Sequence, residues 1–177
     1  MIFKSTALVG VFVIEPERHE DERGFFARSW DAEELRGHGL DATIAQASVS
    51  FNHRRGTLRG LHFQGAPHEE AKLVRVTRGA VFDVVVDARP GSPTRGQHVA
   101  VELSAEAGNQ VYVPPGCAHG FQTLADATEV SYLISTPYSP AHARGYRYDD
   151  PTLAIPWPEP VTVISARDRA LPPFPVE

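Results

Sequence analysis

The sequence predicts an all-β fold, a jelly-roll barrel with short peripheral helices and an extended proline-rich C-terminal tail. Three observations lead there. Helix signals are scarce, while short runs rich in Val, Phe, Tyr and Thr recur between Gly, Pro and Asp. Eight such runs suit the strand number of a jelly roll. Beyond Pro137 the prolines crowd together, at Pro140, Pro151, Pro156, Pro158 and Pro160, where neither a helix interior nor a central strand accommodates them.

The expected elements follow in chain order. The run 8–14 is nearly all apolar, and a short helix over 31–37 comes next. Asp31 is placed to cap that helix, Glu34 to reach back as a capping box, and Gly37 or Gly39 to end it. Strands are expected over 44–50, 57–63, 72–77, 80–86, 98–103, 110–113 and 128–135, each bounded by turn-forming residues. From Pro137 the chain reads as an extended tail wrapping the barrel rather than as a second domain.

At 177 residues, 42% hydrophobic and 22% charged, the chain is long enough to bury a core and reads as one domain, residues 1–177. A net charge of -5 without a basic run argues against a nucleic-acid partner. The single cysteine, Cys117, allows no internal disulfide framework and reads as a packed small residue in a Pro-Gly turn. Without a charged-then-apolar leader or a long apolar span, the expectation is a cytoplasmic protein with no membrane partner.

Two histidine segments carry the chemistry. Gly56-Thr57-Leu58-Arg59-Gly60-Leu61-His62-Phe63-Gln64 sets a histidine near an arginine on a strand-like segment, and Pro114-Pro115-Gly116-Cys117-Ala118-His119-Gly120-Phe121 supplies a second histidine. Together they resemble the two signature motifs of the cupin barrel, so both histidines should face one interior. Metal-binding cupins carry a second histidine two positions after the first. Here that position is Gln64, so no metal is expected.

Further motifs run in order from Asp21-Glu22-Arg23-Gly24-Phe25-Phe26 through Lys72-Leu73-Val74, Asp87-x-Arg89-x-Gly91-Ser92-Pro93-Thr94 and Ile155-Pro156-Trp157-Pro158 to Ser165-Ala166-Arg167-Asp168. With the two histidine segments they resemble the dTDP-4-dehydrorhamnose 3,5-epimerase family. The resemblance implies a cofactor-free epimerase of the isomerase class. Its substrate would be a nucleotide-linked 4-keto-6-deoxyhexose, as in dTDP-L-rhamnose or related deoxysugar biosynthesis, and its usual form a homodimer with an exchanged N-terminal strand. His62 then matches the base, Asp168 the carboxylate that orients it, Tyr132 the acid on the opposite face and Lys72 the cation beside the ketone oxygen. Arg23, Phe26, Gln46, Ser48, Arg59 and His119 match the substrate-binding register, with Tyr138 stacking on the base. These residue types suit epimerisation, because a 4-ketone acidifies C3–H and C5–H, and inversion needs a base, an opposed donor and a positive group near the enolate oxygen. Arginine forks suit a diphosphate.

The chain departs from the family pattern at three places. Arg28 and Ala143 stand where glutamates are usual, and Ser48 replaces an asparagine. Fewer acceptors near the nucleotide predict a permissive or shifted base choice. Other classes are a metal-dependent cupin dioxygenase or isomerase using His62, Glu69 or Glu70, and His119, and a non-catalytic sugar-binding cupin. Within the epimerases, the alternative is a single-site 3- or 5-epimerase.

Overall fold

The computed structural model describes residues 1–175. Its two main sheets enclose the core. The first contains β1 (Ile2–Ser5), β2 (Phe12–Glu15), β5 (Gln46–Asn52), β7 (Lys72–Arg78), β10 (Gln110–Val113) and β12 (Thr128–Ile134), in the order β1-β2-β10-β7-β12-β5. The second contains β6 (Thr57–Gln64), β8 (Ala80–Asp87), β9 (His98–Ser104), β11 (Cys117–Thr123) and β13 (Ala143–Gly145), in the order β13-β6-β11-β8-β9. Strand β14 (Val163–Ile164) runs parallel to β6, and β3 (His19–Asp21) pairs only with β4 (Gly24–Phe26) in a separate hairpin. This is the jelly-roll architecture that the sequence predicts.

The central core draws Val74, Val76, Val111 and Val130 from the first sheet and Val81, Val85, Leu103 and Phe121 from the second. Because strand side chains alternate, β8 buries its remaining valines, Val84 and Val86, on its other face, against Leu61, Leu153 and Phe174. The nearly continuous apolar run of β8 is what a strand covered on both faces requires. A third cluster, with Ile14, Leu35, Leu73 and Tyr112, seats helix α1 (Ala32–Gly37) on the first sheet.

Helix α1 begins as expected. Asp31 accepts from the amides of Glu33 and Glu34 at 2.9 and 3.0 Å. Gly39, at φ +72°, ends the helix, with its own amide on Arg36 O and that of Leu40 on Leu35 O, a Schellman arrangement. The capping box does not form. The Glu34 carboxylate instead takes the Met1 amino group at 2.8 Å and Arg28 at 3.3 Å, charged donors that outcompete a neutral amide.

Three other expectations change. The run 8–14 splits into a turn and the shorter β2, because Gly10 takes φ +82°. The second histidine segment is itself a strand, β11, buried along its whole length between β6 and β8. The segment after Pro137, expected as extended, contains a 3-10 turn (Pro140–His142), β13, β14 and a second short helix, α2 (Ala166–Arg169). Each lies against β6 or beside it, so this stretch of chain delivers residues to the barrel mouth. Cys117 is core, and burial pushes its thiol up to about 11, against the pull of Arg89.

Candidate active site

A cavity of about 650 Å³ opens between the sheets. Strand β6 supplies Arg59, His62 and Gln64 to its wall. Residues three apart on a regular strand face opposite sides, yet Arg59 and His62 both line this cavity. The reason lies in the β6–β11 ladder, whose register shifts between His119 and Phe121. There Gly60, at φ +135°, lies against Gly120: a β-carbon on Gly60 would stand 2.5 Å from the Gly120 Cα. Glycine at both positions lets the strands approach and turns Arg59 and His62 to the same side.

His62 Nε2 and Asp168 Oδ1 are 2.7 Å apart, and the second Asp168 oxygen accepts the Gly60 amide at 3.2 Å. Asp168 arrives on α2, whose N-cap Ser165 accepts the Asp168 amide at 3.0 Å. Burial pushes the Asp168 carboxyl up, but the His62 hydrogen bond and charge, with the Gly60 amide and Ser165, hold it below the usual carboxylate value. It is therefore an anion at neutral pH, fit to hold an imidazole in one orientation and support its protonated form.

His119 stands directly opposite His62 in the ladder. Its Nε2 meets Asp83 Oδ2 at 2.8 Å, and Asp83 is wholly buried. The Tyr132 ring lies edge-on to His119, 6.2 Å between centroids. Burial first, then the Asp83 charge, raises the Tyr132 phenol well above its ordinary value, against the opposing effect of Arg59. The phenol keeps its proton, as a donor must. Lys72 Nζ bonds Glu70 Oε1 at 2.9 Å and the His62 carbonyl at 3.3 Å. Arg59 is aimed by the Asn52 side chain, Nε to Oδ1 2.7 Å, and Gln46 accepts the Tyr138 amide at 2.7 Å.

Nine of the eleven residues singled out from the sequence thus line one cavity: His62, Asp168, Tyr132, Lys72, Gln46, Ser48, Arg59, His119 and Tyr138. Arg23 and Phe26 do not. They sit on the β3–β4 hairpin, where Arg23 is paired with Asp21 and Phe26 is 73% exposed. The hairpin pairs with no strand of either sheet and is tied to the body through Arg18, which donates to the Ala107 carbonyl at 2.8 Å and lies over the Phe25 ring. Of the departures, Ala143 lines the cavity, whereas Arg28 is drawn away by Asp31 and Glu34. Sequence reading missed Asp83, Asn52 and Arg167. Asp83 hides in a valine run, though a lone charge in such a run is itself a signal that a buried partner exists.

Of the donors named for the metal-cupin alternative, Glu70 and His119 are engaged elsewhere. Glu70 is ion-paired to Lys72, Glu69 is exposed on the connecting loop, and His119 Nε2 is on Asp83. Among the described residues no group of three or more His, Cys, Asp or Glu is arranged to hold a metal ion. Among them, too, no helix is long and apolar enough to cross a membrane.

A cupin-type jelly-roll barrel whose cavity sets a histidine–aspartate pair, a protonated phenol and a lysine around one space defines the class: an acid–base barrel equipped to move protons. The family model of dTDP-4-dehydrorhamnose 3,5-epimerase matches residues 5–175. A dTDP-4-dehydrorhamnose 3,5-epimerase from Sinorhizobium fredii is 45% identical over 173 residues, 97% of this chain and 89% of the relative. The structure of the Bacillus anthracis enzyme with TDP and PPi bound superposes with a TM-score of 0.93 at 40% identity, covering 97% of this chain and 98% of the other. The Legionella pneumophila enzyme in complex with dTDP-4-keto-L-rhamnose gives 0.91 at 39% identity, covering 98% and 92%. The chain belongs to the dTDP-4-dehydrorhamnose 3,5-epimerase family, isomerase-class epimerases acting on carbohydrates.

Proposed function

We propose that the protein inverts C3 and C5 of a dTDP-linked 4-keto-6-deoxyhexose in deoxysugar biosynthesis, in the cytoplasm and as a homodimer. The observation that carries this reading is the His62–Asp168 contact of 2.7 Å on the same cavity as a Tyr132 phenol held in its protonated form. His62 removes the proton from the carbon next to the ketone, and the C–H electron pair moves into a C3–C4 or C4–C5 enolate. Lys72 balances the charge that gathers on the ketone oxygen. Tyr132 delivers a proton to the opposite face of the carbon, which inverts it, and Asp168 stabilises the imidazolium meanwhile.

Arg59 and Arg167 on the cavity wall suit the diphosphate, and Tyr138, 55% exposed at its mouth, suits stacking on the base. With Ala143 on the wall and Arg28 turned away, no carboxylate from either position reads the base, so base choice is permissive. The homodimer reading rests on exposed apolar surface that a lone chain leaves uncovered: Phe25 and Phe26 on the hairpin, Val49 and Phe51 on the edge strand β5. In that assembly Arg23 of the partner subunit and its Phe26 complete the nucleotide end of the cavity.

Incubation in deuterated water with 4-keto-6-deoxyhexoses linked to dTDP, UDP and GDP, followed by NMR, tests the reading. Deuterium entering C3 and C5 with inversion at both is the expected result, and exchange at one carbon alone would identify a single-site epimerase. The absence of exchange with every sugar would overturn the proposal.

A further inference from the structure

Gln64 occupies the position where a metal-binding cupin carries its second histidine, two residues beyond His62 and 2% exposed. Its amide is fully committed to backbone. Nε2 donates to the carbonyls of His68 at 2.9 Å and Pro137 at 3.3 Å, and Oε1 accepts the Ser139 amide at 2.6 Å. These partners belong to two segments far apart in sequence, the loop leading into β7 and the stretch leading into β13.

The two segments are also fastened to one another. Ala71 and Ser135 are joined by the Ser135 amide on the Ala71 carbonyl at 3.0 Å and by the Ala71 amide on Ser135 Oγ at 2.8 Å. Thr136 Oγ1 donates to the Glu69 carbonyl at 2.8 Å, and the His68 and His142 rings lie 4.3 Å apart. One segment carries Glu70, the ion-pair partner of Lys72. The other carries Tyr138. Gln64 sits beneath the junction, on the strand that holds His62.

We propose that Gln64 is a positioning residue, a clamp that sets the pose of the Tyr138 segment and so the grip on the nucleotide. The proposal rests on the nucleotide-sugar reading above and deepens it. A primary amide is the group this junction requires. Two carbonyls converge on one NH₂ group while a backbone N–H meets its oxygen, and among side chains of this length only glutamine offers that set. A carboxylate at this site would face two carbonyl oxygens without a proton between them, and a thioether would leave all three backbone groups unpartnered.

Gln64→Met and Gln64→Glu test it through two readouts. The first, hydrogen exchange of residues 135–142 in the ligand-free protein, needs no substrate. Both variants should exchange at least tenfold faster there, with protection elsewhere in β6 and β11 unchanged. The second is titration with thymidine diphosphate alone, where the dissociation constant should rise at least tenfold while kcat changes less than threefold. In a Tyr138→Ala background, Gln64→Met should add less than twofold, because the effect runs through Tyr138. Unchanged exchange in residues 135–142 would overturn the clamp. So would a loss of protection spread over the whole barrel, or equal weakening in the Tyr138→Ala background. A wild-type protein that binds no nucleoside diphosphate would overturn the functional reading instead, and the hydrogen-exchange comparison would still decide the clamp.

Discussion

The cavity wall and the β3–β4 hairpin carry residues of the same proposed site in opposite ways. On the wall four of the side chains have a neighbour that holds them: Asp168 for His62, Asp83 for His119, Asn52 for Arg59, Glu70 for Lys72. On the hairpin Arg23 answers only to Asp21 two residues away, and all residues of both strands are exposed. A side chain on a paired interior strand has its geometry set by its own chain, whereas one on a free hairpin acquires its geometry from whatever the hairpin docks against. One chain brings His62, Asp168, Tyr132 and Lys72 to a single cavity and leaves Arg23 and Phe26 outside it.

That contrast can be broken from either side. The largest effect is expected on the wall. His62→Ala should lower deuterium exchange at both carbons by roughly two to four orders of magnitude, the usual contribution of a positioned base, in a protein with an unchanged circular dichroism spectrum. Exchange near the wild-type rate would remove His62 from the mechanism.

An intermediate effect belongs to the hairpin. Arg23→Ala should weaken substrate binding by about 1.5–3 kcal/mol, the contribution of a hydrogen bond to a charged group, with little change in kcat. Mixing unfolded Arg23→Ala and His62→Ala chains and refolding them together sharpens the comparison. If the hairpin serves its partner's cavity, random pairing restores about a quarter of wild-type sites, assayed at substrate below KM. Activity no greater than the average of the two separate variants would place the hairpin over its own cavity.

The smallest effect is one of stability and pH. The Asp168 carboxyl is held below the ordinary aspartate value of 3.8 in the folded protein. Its ionised contacts therefore stabilise the fold above that pH, and this contribution is lost as the pH falls through the lower folded value. Asp168→Asn should be less stable than wild type by about 1 kcal/mol at pH 7 in urea titrations, and the gap should close on acidification below 3.8. A gap independent of pH would mean that the aspartate acts through its shape and not its charge.

The sequence showed most of the barrel because alternating and all-apolar runs leave a strong mark. It failed where glycine erased the pattern: β11 reads Cys-Ala-His-Gly-Phe-Gln-Thr, with too few β-branched residues to announce a strand. Helix α2, at four residues, was too short to show against the surrounding prolines. Site residues were legible where several motif residues stood together, as around His62. Asp83, Asn52 and the clamp at Gln64 were not: Asp83 reaches His119 only through the β8–β11 pairing, Asn52 meets Arg59 from a strand of the other sheet, and Gln64 meets the distant backbone of Pro137 and Ser139. Arg23 and Phe26 were placed in the site by resemblance alone, and a single chain leaves them outside the cavity.

His62 and Asp168 are 106 positions apart in the chain. His62 lies on a strand in the middle of the barrel, whereas Asp168 sits in a single turn of helix, just after a two-residue strand that pairs parallel to the start of β6. Closing a contact of such long span costs loop entropy that a local contact does not. A histidine and a carboxylate drawn from two such distant segments form a pair only in the folded barrel, and a chain cut short before Ser165 would hold His62 without Asp168.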